Sequence, residues 1–328
     1  MALKHTDSGV AAAVFLALYA IYALVMVYIV YVKGFKTVYT FLMSFPFIRF
    51  GSQLCGLVFA IKGIEHYKWL IAYLVLGAEG YFVLILSAFL FLVHAQKRKN
   101  GYSWLEKSQS FLKENPLGNS YAAIFHWVLV PANAMVIAGG SMLTGIENYD
   151  AERKKVRISK GLRTTGQSLF LSLTIIILLL GLNAFKKEKV RNHFNITILL
   201  ASPFLIVRGV FGILSIYIEN MNYYQLSNYS GAGINHMLVI YEYVLSTTME
   251  FAASIFIVSN FFLEKQADRD ADKDEEKQKK KKKRDSDDES SDDSLVRQDS
   301  KNSNNSGAGS MDDDLDDDDS GTLWGLLG

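Results

Sequence analysis

Apolar residues gather into long unbroken runs along the chain, and polar residues gather between them. Seven runs have spanning length: 11–32, 38–61, 69–93, 121–143, 167–185, 194–217 and 234–262. At about 1.5 Å per residue, a helix of that length crosses a hydrocarbon core of roughly 30 Å. The runs are too long and too continuous for the alternating strands of a barrel. The pattern predicts an all-α polytopic membrane protein. Its core is a seven-transmembrane-helix bundle over 11–262, with a short extracytoplasmic N-terminus at 1–10 and a disordered, charged cytoplasmic tail at 263–328. The first run is 22 residues long, which suits a span better than the shorter apolar core of a signal peptide.

Composition sharpens this reading. Half of the 328 residues are hydrophobic, and the net charge of +1 conceals a strong segregation of charge into loops and tail. The single cysteine, Cys55, excludes an intrachain disulfide and a cysteine metal cage. Lys and Arg in the loops set orientation. With the N-terminus outside, the inner loops carry slightly more of them than the outer ones, and the lysine-rich tail tips the balance. The expectation is N-out and C-cytoplasmic, in the plasma membrane or an endomembrane. One outer loop argues the other way, because 152–163 reads "ERKKVRISKGLR".

Three further segments carry signals. Asn228-Tyr229-Ser230 is a glycosylation sequon in an outer loop. Trp104, Leu105, Phe111 and Leu112 share one helical face, which predicts either a short interfacial helix on the cytoplasmic leaflet or a loop helix packed on the bundle. In the tail, "KQKKKKKR" at 277–284 precedes acidic, serine-rich sequence, a composition that does not fold alone and whose basic block attracts anionic lipid. Ser286, Ser290 and Ser310 each have an acidic residue three positions on. They are phosphorylation candidates for an acid-directed kinase, and phosphate there would weaken membrane attraction.

The most informative residues are ionisable groups inside the runs. Residues 201–212 read "ASPFLIVRGVFG" and 44–51 read "SFPFIRFG", so Arg208 and Arg49 lie in apolar sequence. Glu79, Glu242 and Glu250 are the matching acids, and His126, Asn133 and Gln53 are polar neighbours. Counting down from the outer ends puts Arg49, Glu79, Arg208 and Glu242 in one layer, about 12–18 Å deep, with Glu250 at about 24 Å. Pro46, Pro131 and Pro203 lie inside spans and are candidate kinks that would open polar space and free carbonyls for the arginines. An unpaired guanidinium in lipid is costly, so each arginine is expected to face a carboxylate. Two readings stand. The charges are ion pairs that fix the helices, or they line a pocket for an anionic or amphiphilic headgroup. A proton or ion path through Glu79, Glu242 and Glu250 is a smaller third.

No enzyme is indicated. The seventh run has no lysine for a retinal Schiff base, the six histidines are scattered, and no P-loop or GxSxG motif occurs. No cofactor, metal or nucleic acid is expected. The partners in view are membrane lipids, an amphiphilic ligand and a cytoplasmic partner of the tail.

At "SPFLIVRGVFGILSIY", residues 202–217, the chain resembles a family of uncharacterised fungal seven-helix integral membrane proteins. Their sixth span carries a similar Pro-Phe-Leu…Val-Arg segment, their seventh an acidic residue matched by Glu242 or Glu250, and their second span looks similar around Arg49. The resemblance covers roughly residues 10–262 in layout. More distantly, the layout is similar to the RTA-like lipid-translocating exporters, which would imply handling of sphingoid or other amphiphilic lipids. Three functions are expected in turn: transport or binding of a small amphiphilic ligand, a receptor or sensor with a regulatory tail, and a structural or interaction protein.

Overall fold

Inside a bilayer no water bonds the backbone, so each apolar run must satisfy its own amides as a helix. The structure, a computed structural model, describes residues 6–106, 121–143, 152–230, 233–266 and 269. Seven of its helices are long and apolar enough to cross a membrane. They are α1 (Thr6–Lys33), α2 (Val38–Lys62), α3 (Lys68–Asn100), α4 (Tyr121–Ser141), α5 (Arg153–Lys186), α6 (His193–Tyr217) and α7 (His236–Gln266). The body of the bundle reaches Asn260, and a second unit begins at Phe261. Between α6 and α7 a two-residue hairpin pairs Tyr229 with Ile234 and Ser230 with Gly233.

Neighbouring helices pack in chain order, and α3 also touches α4, α5 and α6. Its apolar window is 61% buried, against 28% for α1. Leu84 to Val93 of α3 are buried without a break, so this helix is the bundle's centre, apolar on all sides. Outward faces are apolar too. Ile21 and Leu24 of α1, Trp127 of α4 and Leu179 of α5 are exposed, while Gln53, Thr174, Glu250 and Asn260 are buried. A surface of Leu and Ile with polar side chains turned inward suits lipid rather than water. The chain is a multi-pass membrane protein.

Local chemistry sets the helix ends. Asn192 caps α6 by accepting from the Asn195 amide at 3.1 Å, and Asn235 caps α7 by accepting from Met237 at 3.0 Å. Gly101, with φ +72°, closes α3 in a left-handed conformation after Lys97, Arg98 and Lys99, whose charges oppose the helix dipole.

The structure changes several expectations. The basic stretch at 153–163 is not a loop but the first three turns of α5. Its Arg, Lys and Leu residues are good helix formers, and Ser159, Arg163 and Gly166 bury one side of it against the bundle. Ser103 to Glu106 form a turn, and the rest of the expected helix, from residue 107 on, lies outside the described residues. Trp104 is tied to Glu188 by its indole N–H at 2.8 Å, and Leu105 is buried, so both side chains serve protein packing rather than lipid. Phe111 and Leu112 lie outside the described residues, as do Ser286, Ser290 and Ser310 and most of the tail. Helix α7 runs four residues past the expected end at 262, to Gln266. Pro46, Pro131 and Pro203 lie inside α2, α4 and α6, as expected. Among the described residues, α7 departs from α-helical bonding, where Tyr243–Thr247 form a π turn, and Thr248 Oγ1 donates to the Tyr243 carbonyl at 2.7 Å.

Candidate functional site

Arg49 of α2 needs a path to a carboxylate across the central helix, and glycine supplies it. A Cβ at Gly80 of α3 would lie 3.0 Å from Arg49 Nε and 3.1 Å from its Cδ; one at Gly77 would lie 3.3 Å from Nη1. The arginine therefore lies flat across a notch in α3 that any side chain would fill. Beyond the notch it meets Glu250 of α7. Arg49 Nε donates to Glu250 Oε2 at 2.6 Å, and Nη2 pairs with the same oxygen. Arg208 of α6 approaches from the other side and donates its Nε to Glu250 Oε1 at 2.6 Å. One carboxylate, fully buried, thus holds two guanidiniums from two helices. Arg208 also rests on the Tyr81 ring at 4.9 Å, and Tyr81 donates its hydroxyl to the Leu205 carbonyl at 3.0 Å.

The expected layer is thereby corrected. Glu250, an ion-pair candidate placed deeper than that layer, is the acid that bridges the arginines. Glu242, counted at their depth, is on the cavity wall instead. Counting locates backbones, whereas an arginine carries its charge several bonds away on a flexible stem. Glu79 belongs to neither group: it accepts from Asn133 Nδ2 of α4 at 2.7 Å, linking α3 to α4.

Beside the clamp is a cavity of about 90 Å³, several times the roughly 10–15 Å³ that a single water needs. Its wall includes Arg49, Arg208, Glu242 and a third arginine, Arg163 of α5. Sequence reasoning counted Arg163 among loop cations. It is 8% exposed, and its guanidinium lies 4.4 Å from the ring centre of Tyr224. Close helix contact brings it there: a Cβ at Gly139 of α4 would lie 2.7 Å from Arg163 Cγ, and one at Gly166 would lie 2.6 Å from the Ala132 carbonyl oxygen. Gln167, one turn on, is 7% exposed and also lines the cavity, and its amide oxygen has no partner among the described residues. The signal for both was the spacing Arg163, Gln167, Phe170, Thr174, Ile177, which carries the buried seam of α5 back into its basic segment.

The α6–α7 loop brings Tyr223 and Tyr224 to the cavity. Asn228 holds that loop, its Nδ2 donating to the carbonyls of Glu219 at 2.5 Å and Asn222 at 2.9 Å. The sequon expectation fails here. Asn228 is 3% exposed, and the nitrogen that a glycan would need is committed to two hydrogen bonds. Burial pushes the Tyr223 hydroxyl well above the usual phenol range, so it keeps its proton as a donor. Among the described residues, no three His, Cys, Asp or Glu side chains gather as a metal site. No family model matches the chain, and no curated protein or solved structure matches it.

Proposed function

We propose that this multi-pass membrane protein binds the anionic headgroup of an amphiphilic, lipid-like ligand in the three-arginine cavity, as a carrier or as a binding protein. With the N-terminus outside and the C-terminus cytoplasmic, in the plasma membrane or an endomembrane, the cavity belongs to the outer half of the bundle. The observation that carries this reading is convergence. Three arginines from α2, α5 and α6 line one cavity whose described wall includes a single carboxylate, Glu242.

A second reading, that the charges only fix the bundle, draws on Glu250 holding Arg49 and Arg208 together. It accounts for the clamp but gives no reason for the cavity beside it.

Thermal unfolding of the detergent-purified protein separates the two. Anionic amphiphiles at about a hundred times Kd are expected to stabilise the wild type by about 2.7 kcal/mol, while sterols leave it unchanged. Arg163→Gln should abolish the shift, read against its own unliganded melting temperature, which loss of the Tyr224 contact lowers. If no anionic amphiphile moves the wild-type melt, or if the shift survives in Arg163→Gln, the cavity is not the binding site.

A further inference from the structure

On the reading that the cavity takes an anionic headgroup, one feature of α5 remains without a role. Arg153, Val156, Lys160, Arg163 and Gln167 follow one another at spacings of three and four, so they form a single stripe along the helix. It is the same stripe that is buried further down at Phe170, Thr174 and Ile177. Gln167 and Arg163 are buried at the cavity, whereas Lys160 and Arg153 are exposed. Ser159 carries the buried seam one turn further, and the flank beside it, at Lys160 and Arg153, is cationic and exposed. Arg153 to Gln167 covers about 21 Å of helix.

Where the stripe meets the bilayer follows from length. The apolar part of α5, 167–185, spans roughly 28 Å, close to the full hydrocarbon thickness of about 30 Å. Arg163 then sits at the hydrocarbon boundary, and Lys160 and Arg153 lie among the headgroups and in water. That is the level at which lipid phosphates sit. Polar side chains line the cavity from several directions: Arg163 from α5, Arg208 from α6, and Tyr223 and Tyr224 from the loop. A planar carboxylate offers two oxygens in one plane. A tetrahedral oxyanion offers three or more, and suits guanidiniums that approach from different helices.

We infer that the α5 stripe is a guiding track that draws a phosphate monoester into the cavity, Arg153 and Lys160 accelerating capture and Arg163 holding the captured group. Cations along an approach raise the association rate and leave dissociation to the contacts at its end. The phosphate can be lipid-borne or free, and the chemistry of the track is the same for both.

The test uses the full chain in neutral detergent micelles and a short-chain phosphatidic acid with a fluorescent acyl tail, followed by stopped flow, with inorganic phosphate as competitor. In Arg153→Glu/Lys160→Glu the association rate should fall about tenfold at low salt, and less than about twofold at 1 M salt, where the Debye length is about 3 Å. The dissociation rate should stay within about twofold of wild type. Lys154→Glu/Lys155→Glu changes net charge equally but lies off the stripe, and should slow association by less than about threefold. Arg163→Gln should instead raise the dissociation rate. Competition by inorganic phosphate marks a free anion as the ligand; its failure with phosphatidic acid still bound marks a lipid. If binding depends on Arg163 but the stripe and control variants associate alike, the track is refuted and the cavity reading stands. If neither phosphate probe binds the wild type, or binding ignores Arg163, both fall together.

Discussion

The clamp and the cavity wall are built from the same residue type within one bundle, and they treat it differently. At the clamp, Arg49 and Arg208 each give their Nε–H to one oxygen of Glu250, and the acid is sealed from solvent. At the wall, Arg163 lies against the Tyr224 ring and beside a Gln167 oxygen with no described partner. The clamp is closed by the protein's own groups. The wall borders open space. A buried arginine is therefore no sign of a ligand in itself. What distinguishes the two is that one carboxylate joins the guanidiniums of the clamp, whereas the wall borders a cavity.

The largest effect should come from opening the clamp. Glu250→Leu leaves two buried guanidiniums without their shared acid, and is expected to cost about 3–5 kcal/mol. Thermal unfolding in detergent would read this as a large drop, with little folded protein recovered. A Glu250→Leu protein as stable as wild type would show that the arginines find other partners, and the contrast with the wall would dissolve. Gly80→Ala should act on the same clamp more gently. The added methyl would lie 3.0–3.2 Å from three atoms of the Arg49 side chain, which must shift without losing Glu250. Overpacking of this kind costs about 1–3 kcal/mol. The same substitution in a Glu250→Leu background should cost less, because the arginine is no longer held in place. Additive losses in the double variant would mean that the notch serves helix packing and not the clamp.

Much of this was legible in the residues, for physical reasons. Seven spans were readable because bilayer thickness fixes the length of an apolar run. Arg49 and Arg208 stood out because a charge in such a run is rare. Arg163 did not, because "ERKKVRISKGLR" has the composition of a polar loop. Only the three-and-four spacing of its buried positions shows that it is helix with an inward face. The choice of Glu250 over Glu242 was beyond counting. It depends on how far two arginine stems reach and on which side of α7 faces them, and the π turn at Tyr243–Thr247 resets that facing between the two acids. The role of Asn228 was hidden for a similar reason: a sequon names the residue but not the two carbonyls its side chain meets.

The smallest effect tests whether charge matching is what makes the clamp matter. A third polar cluster joins α3 to the α5–α6 loop, where Glu188 accepts from the Trp104 indole at 2.8 Å and from Gln96 Nε2 at 3.1 Å. Ser103 donates to the Gln96 oxygen at 2.6 Å. This acid is held by neutral donors and is partly open to solvent, so removing one donor leaves it other partners. Trp104→Phe keeps most of the ring contact with Tyr121 and removes only the N–H. The expected loss is about 1 kcal/mol, several times smaller than for Glu250→Leu, with amphiphile binding unchanged. Equal losses from the two variants would mean that any buried hydrogen bond in this bundle is worth the same. The Arg49–Glu250–Arg208 bridge would then lose its claim to be the element that sets the helices around the cavity.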